Sequence, residues 1–123
     1  MIGLLLASLL QSAPAAATPS SWQEFDRRQN GFGETAFLYS APSVHRNGAV
    51  LSAWVTYDFH YSGLPTSTNV ELWRIDCAAR RSRVVQGFTI MRELPVRPWR
   101  RGGGLRPFAP DSPQAALAVR LCG

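Results

Sequence analysis

The segment Ala49 to Tyr61 constrains this chain most, because its side chains sort cleanly by parity. Leu51, Ala53, Val55, Tyr57, Phe59 and Tyr61 fall on one side of an extended strand. Val50, Ser52, Trp54, Thr56, Asp58 and His60 fall on the other. Strand side chains alternate with period two, so one face here is almost wholly apolar and has to be covered. Asn47-Gly48 just before it is a strong hairpin signal, since both residues tolerate φ > 0. A chain with this segment at its centre is β-rich.

The flanking segments extend that sheet. Thr18 to Gly33 reads as a linker followed by a short first strand or irregular arm, and Thr35 to Ser40 as a strand. Ser62-Gly63-Leu64-Pro65 turns the chain into Asn69 to Cys77, which places Trp73, Ile75 and Cys77 opposite Arg74 and Asp76. Ala78-Ala79-Arg80 connects to a further strand over Arg83 to Met91. Arg92 to Gly104 carries Pro95, Pro98 and three glycines and reads as a long loop. Leu105 to Ala109 follows as a final strand that Pro107 confines to a sheet edge. Ser112 or Asp111 as N-cap with Pro113 in the first turn opens a helix over Gln114 to Leu121, and Gly123 terminates it. Ala115, Ala118 or Val119, and Cys122 share one face of that helix.

The amino terminus points to export. Ile2 to Leu10 is an uncharged apolar run, too short for a bilayer span of about 20 residues but suited to the core of a signal peptide. Ala15-Ala16-Ala17 supplies a small-residue cleavage pattern, so residues 1–17 are expected to be a leader and 18–123 the mature domain. No cysteine sits near that site to accept a lipid, and no transmembrane segment is expected in the mature chain. Cys77 and Cys122 are the only thiols. In an oxidising compartment an isolated pair is most simply a structural disulfide, whose loop-closure entropy contributes roughly 4 kcal/mol. Redox-active pairs sit as Cys-x-x-Cys, and this spacing is different.

A family resemblance covers the chain from about Trp22 to Cys122. Trp73-Arg74-Ile75-Asp76-Cys77-Ala78-Ala79-Arg80-Arg81-Ser82-Arg83 resembles the signature of the surface-adhesin protein E family. The ending from Pro110-Asp111-Ser112-Pro113 to Leu121-Cys122 is similar to that family's short terminal helix closing on a cysteine. Phe37-Leu38-Tyr39, Ser43-Val44, Asn47-Gly48 and Trp54 resemble its first hairpin. The resemblance implies an α+β, mainly β fold: a curved antiparallel sheet of about five to six strands with one C-terminal helix tethered by a Cys77–Cys122 disulfide. It also implies a bacterial secreted or surface-exposed protein whose namesakes bind host extracellular-matrix and plasma glycoproteins.

The same residues carry few catalytic signals and one pointed binding signal. His60 lies two positions from Asp58, and Ser52 or Ser62 completes a triad on paper. No G-x-S-x-G elbow, H-E-x-x-H pair or glycine-rich helix start accompanies it, so no catalytic residue is assigned and no metal or cofactor is expected. His45, the other histidine, stands alone. The charge pattern is more pointed. The 123 residues include 13 arginines and no lysine, for a net charge of +5. Arg97, Arg100, Arg101 and Arg106 surround Trp99 and the triple glycine Gly102-Gly103-Gly104. Arginine forks pair with sulfate, phosphate or carboxylate, and a tryptophan stacks on a sugar. Arg97, Trp99, Arg100, Arg101 and Arg106 are therefore the candidate binding site, weighed against a solvated loop with Trp99 anchored in the core. Asp76 beside Arg80, Arg81 and Arg83 fits a structural ion pair as well as a binding patch.

The expectation is an exported, non-enzymatic, adhesin-like binding protein. Its partner is a host matrix or plasma glycoprotein or an anionic glycan, and no nucleic acid is expected outside the cell. The alternative is a periplasmic, envelope-associated structural protein.

Overall fold

A computed structural model describes residues 21–59, 67–91 and 94–123. The expected leader, His60, Tyr61 and the Ser62 to Pro65 turn lie outside these described residues. The described residues form an antiparallel sheet, a short 3-10 turn at Ala41–Ser43 and one α-helix. The strands are β1 (Trp22–Asn30), β2 (Gly33–Ser40), β3 (His45–Asn47), β4 (Val50–Phe59), β5 (Ser67–Asp76), β6 (Arg81–Met91), β7 (Arg97–Arg100) and β8 (Arg106–Pro107), and α1 spans Pro113–Cys122. The main sheet runs β1-β2-β4-β5-β6-β7, with β3 on β4 and β8 on β6.

Two irregularities curl this sheet. Glu24 faces Leu38 and Asp26 faces Phe37, which leaves Phe25 as an extra residue in β1. Leu72 faces Gln86 and Trp73 faces Val84, which leaves Val85 extra in β6. Such bulges bend a strand and raise its twist, so the two sides of the sheet become unequal. The inner side is filled by the core. Leu51 and Val55 from β4, Trp73 and Ile75 from β5, and Tyr39 from β2 meet Leu117 and Ala118 of α1. The ring of Phe25 stands edge-on to Trp73 and to Tyr39, with centroids 6.0 Å away in each case. Full burial of a leucine such as Leu117 contributes about 1.5–3 kcal/mol. A smaller cluster sits on the outer side, where Trp54 stacks on Phe88 at 6.0 Å beside Trp22, Val70 and Leu72.

Sequence signals explain the helix. Ser112 is its N-cap, accepting a hydrogen bond from the Ala115 N–H at 3.2 Å, and Pro113 occupies the first turn, where its missing N–H costs nothing. Cys122 is bonded to Cys77 at the end of β5, with Cα atoms 5.6 Å apart. The Arg46 guanidinium donates to the Leu121 carbonyl, and Arg120 donates to the Glu24 carbonyl at 3.1 Å. The helix is thereby fastened to β5, β3 and β1.

Several expectations need correction. The amino-terminal arm is a full nine-residue strand, β1. The hairpin turn sits one residue later than Asn47-Gly48: Asn47 pairs with Val50, and Gly48 (φ 68°) and Ala49 make the turn. With φ positive at the first central residue alone, that is the sign pattern of a type II′ turn. Residues 97–100 within the expected long loop form β7, while the strand expected over Leu105 to Ala109 shrinks to β8. On α1 the buried residues are Ala115, Leu117 and Ala118, and Val119 is 79% exposed. Among the described residues, no helix is long and apolar enough to cross a membrane.

Candidate functional site

Two adjoining features stand out on the β5–β8 side of the molecule: an edge crowded with arginines and a polar cleft beside it. β6 positions both. One of its sides pairs β5, and the other is shared by β7 at Gln86 to Thr89 and by β8 at Arg81 and Ser82. The sheet therefore does not bring the five candidate residues into one cluster. Arg97, Trp99 and Arg100 lie on β7 with Arg101 directly after it, whereas Arg106 pairs with Ser82 further along β6. The basic group is an extended row rather than a loop tip.

Trp99 is the anchor of that row. Its six-membered ring lies against Gly87, where a Cβ atom would come within 2.7 Å of the ring. Only a residue without a side chain leaves the ring that place. The indole N–H donates to Thr89 Oγ1 at 3.0 Å. The Arg101 guanidinium sits over the ring, 5.0 Å from a centroid. Trp99 is therefore neither part of a core cluster nor an open platform for a sugar ring. It is the base on which Arg101 rests. The Arg101 backbone is held too, since its N–H donates to the Val85 carbonyl at 3.0 Å and its carbonyl accepts from Arg83 at 2.6 Å. Arg80 rests on Phe108 in the same manner, 5.0 Å from the ring centroid.

No carboxylate neutralises these arginines among the described residues; the ion pairs found there belong to Arg27 and Arg28 on β1. The ion pair weighed for Asp76 is absent. Its carboxylate accepts from the Ala79 N–H at 3.0 Å and closes the β5–β6 turn, in which Arg80 takes φ 56°.

The cleft was not assigned from the sequence. It occupies about 470 Å³ on the inner face beyond the reach of α1, lined by Tyr57, Phe59, Ser67, Asn69, Glu71, Thr89, Trp99, Arg100 and Arg101. Ser67, Asn69 and Glu71 are buried and continue the inner face that Trp73 and Ile75 occupy under the helix. Parity alone would have found them, because Glu71 and Asn69 stand two and four residues before Trp73. Glu71 is only 5% exposed. Tyr57 donates its hydroxyl to Glu71 Oε2 at 2.7 Å, and Trp73 Nε1 donates to Oε1 at 2.8 Å. Thr89 Oγ1 in turn donates to Asn69 Oδ1 at 3.0 Å. A chain of hydrogen bonds thus runs Trp99 to Thr89 to Asn69 across the floor. Burial, and then the Glu71 charge, push the Tyr57 phenol above its usual range, with Asn69 and Arg101 acting the other way. Tyr57 is accordingly a hydrogen-bond donor across the physiological range.

The triad written from sequence does not assemble on the residues described. Ser52 and Asp58 share β4 but stand about 20 Å apart at 3.3 Å per residue. Asp58 accepts from Thr68 Oγ1 at 2.7 Å, and His45 is exposed on β3 opposite Ser52. His60 and Ser62 lie outside the described residues. Compared with protein-family models, curated proteins and solved structures, the chain finds no match in any of the three.

Proposed function

We propose that this chain is an exported binding protein that recognises an anionic glycan, free or carried on a glycoprotein, through the arginine row of β6–β8. The observation that carries the reading is the state of those arginines. Arg101 and Arg80 lie over aromatic rings and pair with no carboxylate among the described residues, so their charge and donors remain available for an incoming anion. Arg97, Arg100 and Arg106 are exposed along the same edge. Export is supported by the leader-like first 17 residues and by the disulfide, a bond that persists in oxidising compartments. The resemblance to surface-adhesin protein E proteins points to the same class of role, recognition outside the cell without catalysis.

The test is retention on a sulfated-glycan column across a salt gradient. Binding by exposed charges is screened beyond about 8–10 Å at physiological ionic strength, so the wild type should elute at raised salt. Arg100→Ala with Arg101→Ala should elute distinctly earlier at an unchanged melting temperature. Equal retention of the double variant would end the proposal.

A further inference from the structure

The cleft beside the row has a chemistry that a plain polyanion site lacks: a buried acid at its floor and an arginine at its mouth. We infer that it takes a hexuronic acid residue, a pyranose with one carboxylate and free hydroxyls, with the sugar carboxylate on Arg101 and the hydroxyls on Glu71 and Asn69. The inference rests on the glycan reading above and narrows it to one ring chemistry.

Four observations combine. The cleft, at about 470 Å³, falls in the range of small-ligand sites. Glu71 meets no cationic side chain of the described residues within ion-pair distance, and its two oxygens are oriented by the Tyr57 hydroxyl and the Trp73 indole. A carboxylate has about four lone-pair sites, so each oxygen can accept one more donor from a ligand. Asn69 is 7% exposed and lines the same floor, with its Oδ1 engaged by Thr89 and one amide N–H directed at the Tyr57 oxygen; the second amide N–H is the donor left for a sugar oxygen. Phe59, 44% exposed, packs edge-on against Tyr57 at 5.7 Å and offers an apolar wall for a pyranose face.

Glu71 also says what the cleft rejects. A sulfate in place of a hydroxyl removes the donor that Glu71 needs and sets a second negative charge beside it. A hexuronic acid carries its carboxylate on C5 and its free hydroxyls across the ring, so it spans from Arg101 to Glu71 without that conflict. Heavily sulfated chains are accordingly confined to the outer arginine row, and carboxylated, unsulfated rings enter the cleft.

The experiment compares two probes by titration calorimetry: a galacturonic acid trimer and dextran sulfate. The wild type should bind both. Glu71→Gln and Phe59→Ala should each weaken the trimer about tenfold and leave dextran sulfate within about twofold. Phe59→Ala is included because Glu71→Gln removes an acceptor from Tyr57 or Trp73 and can lower stability. Free galacturonate as competitor separates the sources of the ring: displacement of the trimer assigns recognition to the single sugar acid, and its failure assigns it to a residue within a polymer. Trimer binding unchanged in both variants, or dextran sulfate bound without any trimer binding, would overturn the cleft assignment alone. A wild type that binds neither probe would instead remove the glycan reading itself.

Discussion

The two outer edges of the sheet hold their arginines in opposite ways. On the β1–β2 edge Arg27 is gripped by Glu24 at 2.6 Å and by Glu34 at 3.0 Å, and Arg28 by Asp26 at 2.7 Å. On the β6–β8 edge Arg101 lies on Trp99, Arg80 on Phe108, and Arg83 donates to the Arg101 carbonyl. Both arrangements restrict a long side chain. Among the described residues, only the second leaves its charge uncancelled. A ring fixes a guanidinium through the faces of the two groups and spares the in-plane N–H donors, whereas a carboxylate occupies those donors. The ion-paired edge has its guanidinium donors occupied; the edge whose arginines rest on rings keeps the donors that the proposed anion would need.

The comparison can be broken most forcefully through glycine. Gly87→Ala puts a Cβ within 2.6 Å of the Val70 carbonyl and 2.7 Å of Trp99, so the fold should lose about 1–3 kcal/mol and Trp99 should shift. Gly31→Ala in the β1–β2 turn meets nothing within 4 Å and should stay within about 0.5 kcal/mol. Chemical denaturation with tryptophan fluorescence reads both, and equal losses would mean that Trp99 is not seated as described. Charge reversal is the next largest effect. Arg100→Glu with Arg101→Glu should weaken dextran sulfate binding about tenfold, or about 1.4 kcal/mol, while Arg27→Glu with Arg28→Glu leaves it nearly unchanged. Parallel losses from both pairs would reduce the site to net charge alone.

The smallest effect is a titration. The Arg27 hydrogen bond holds the Glu24 carboxyl below its ordinary value. A carboxylate whose pKa is depressed in the folded state adds stability above its unfolded pKa and loses it as pH falls through the folded one. NMR titration should therefore find the Glu24 carboxyl below the ordinary glutamate range and returning toward it in Arg27→Gln.

How much of this was readable depends on whether a signal was local. The Ser112-Pro113 helix start, the parity of Leu51 to Tyr57 and the single cysteine pair each state their structure within a few residues, and each appears as expected. β1 was underestimated because Phe25 is the bulged residue, which breaks the alternation, and because charges occupy so many of its positions. Pro98, lacking an N–H, makes the β7 segment read as loop in the sequence; an edge strand accepts such a residue where the missing donor would face away from its partner. The arginines of the candidate site stand out in the composition, yet their separation into β7 and β8 depends on pairing with β6, a contact invisible in sequence order. The cleft was missed although its parity was legible. Polar residues such as Asn69 and Glu71 are ordinarily assigned to solvent, and only the shortness of α1 reveals that the inner face continues beyond its cover.

The Cys77–Cys122 bond makes one covalent ring of everything between those residues, and the exposed Gly102-Gly103-Gly104 stretch lies within that ring. Exposed glycines are where a protease cuts most readily. A single cut there would release nothing while the bridge stands, since both new ends remain tied through sulfur. In a reducing medium the same cut leaves the piece from Leu105 onward, with the lid of the inner face, held by non-covalent contacts alone. Tolerance of proteolytic damage in this protein is thus conditional on redox state, with the bridge acting as a retaining pin.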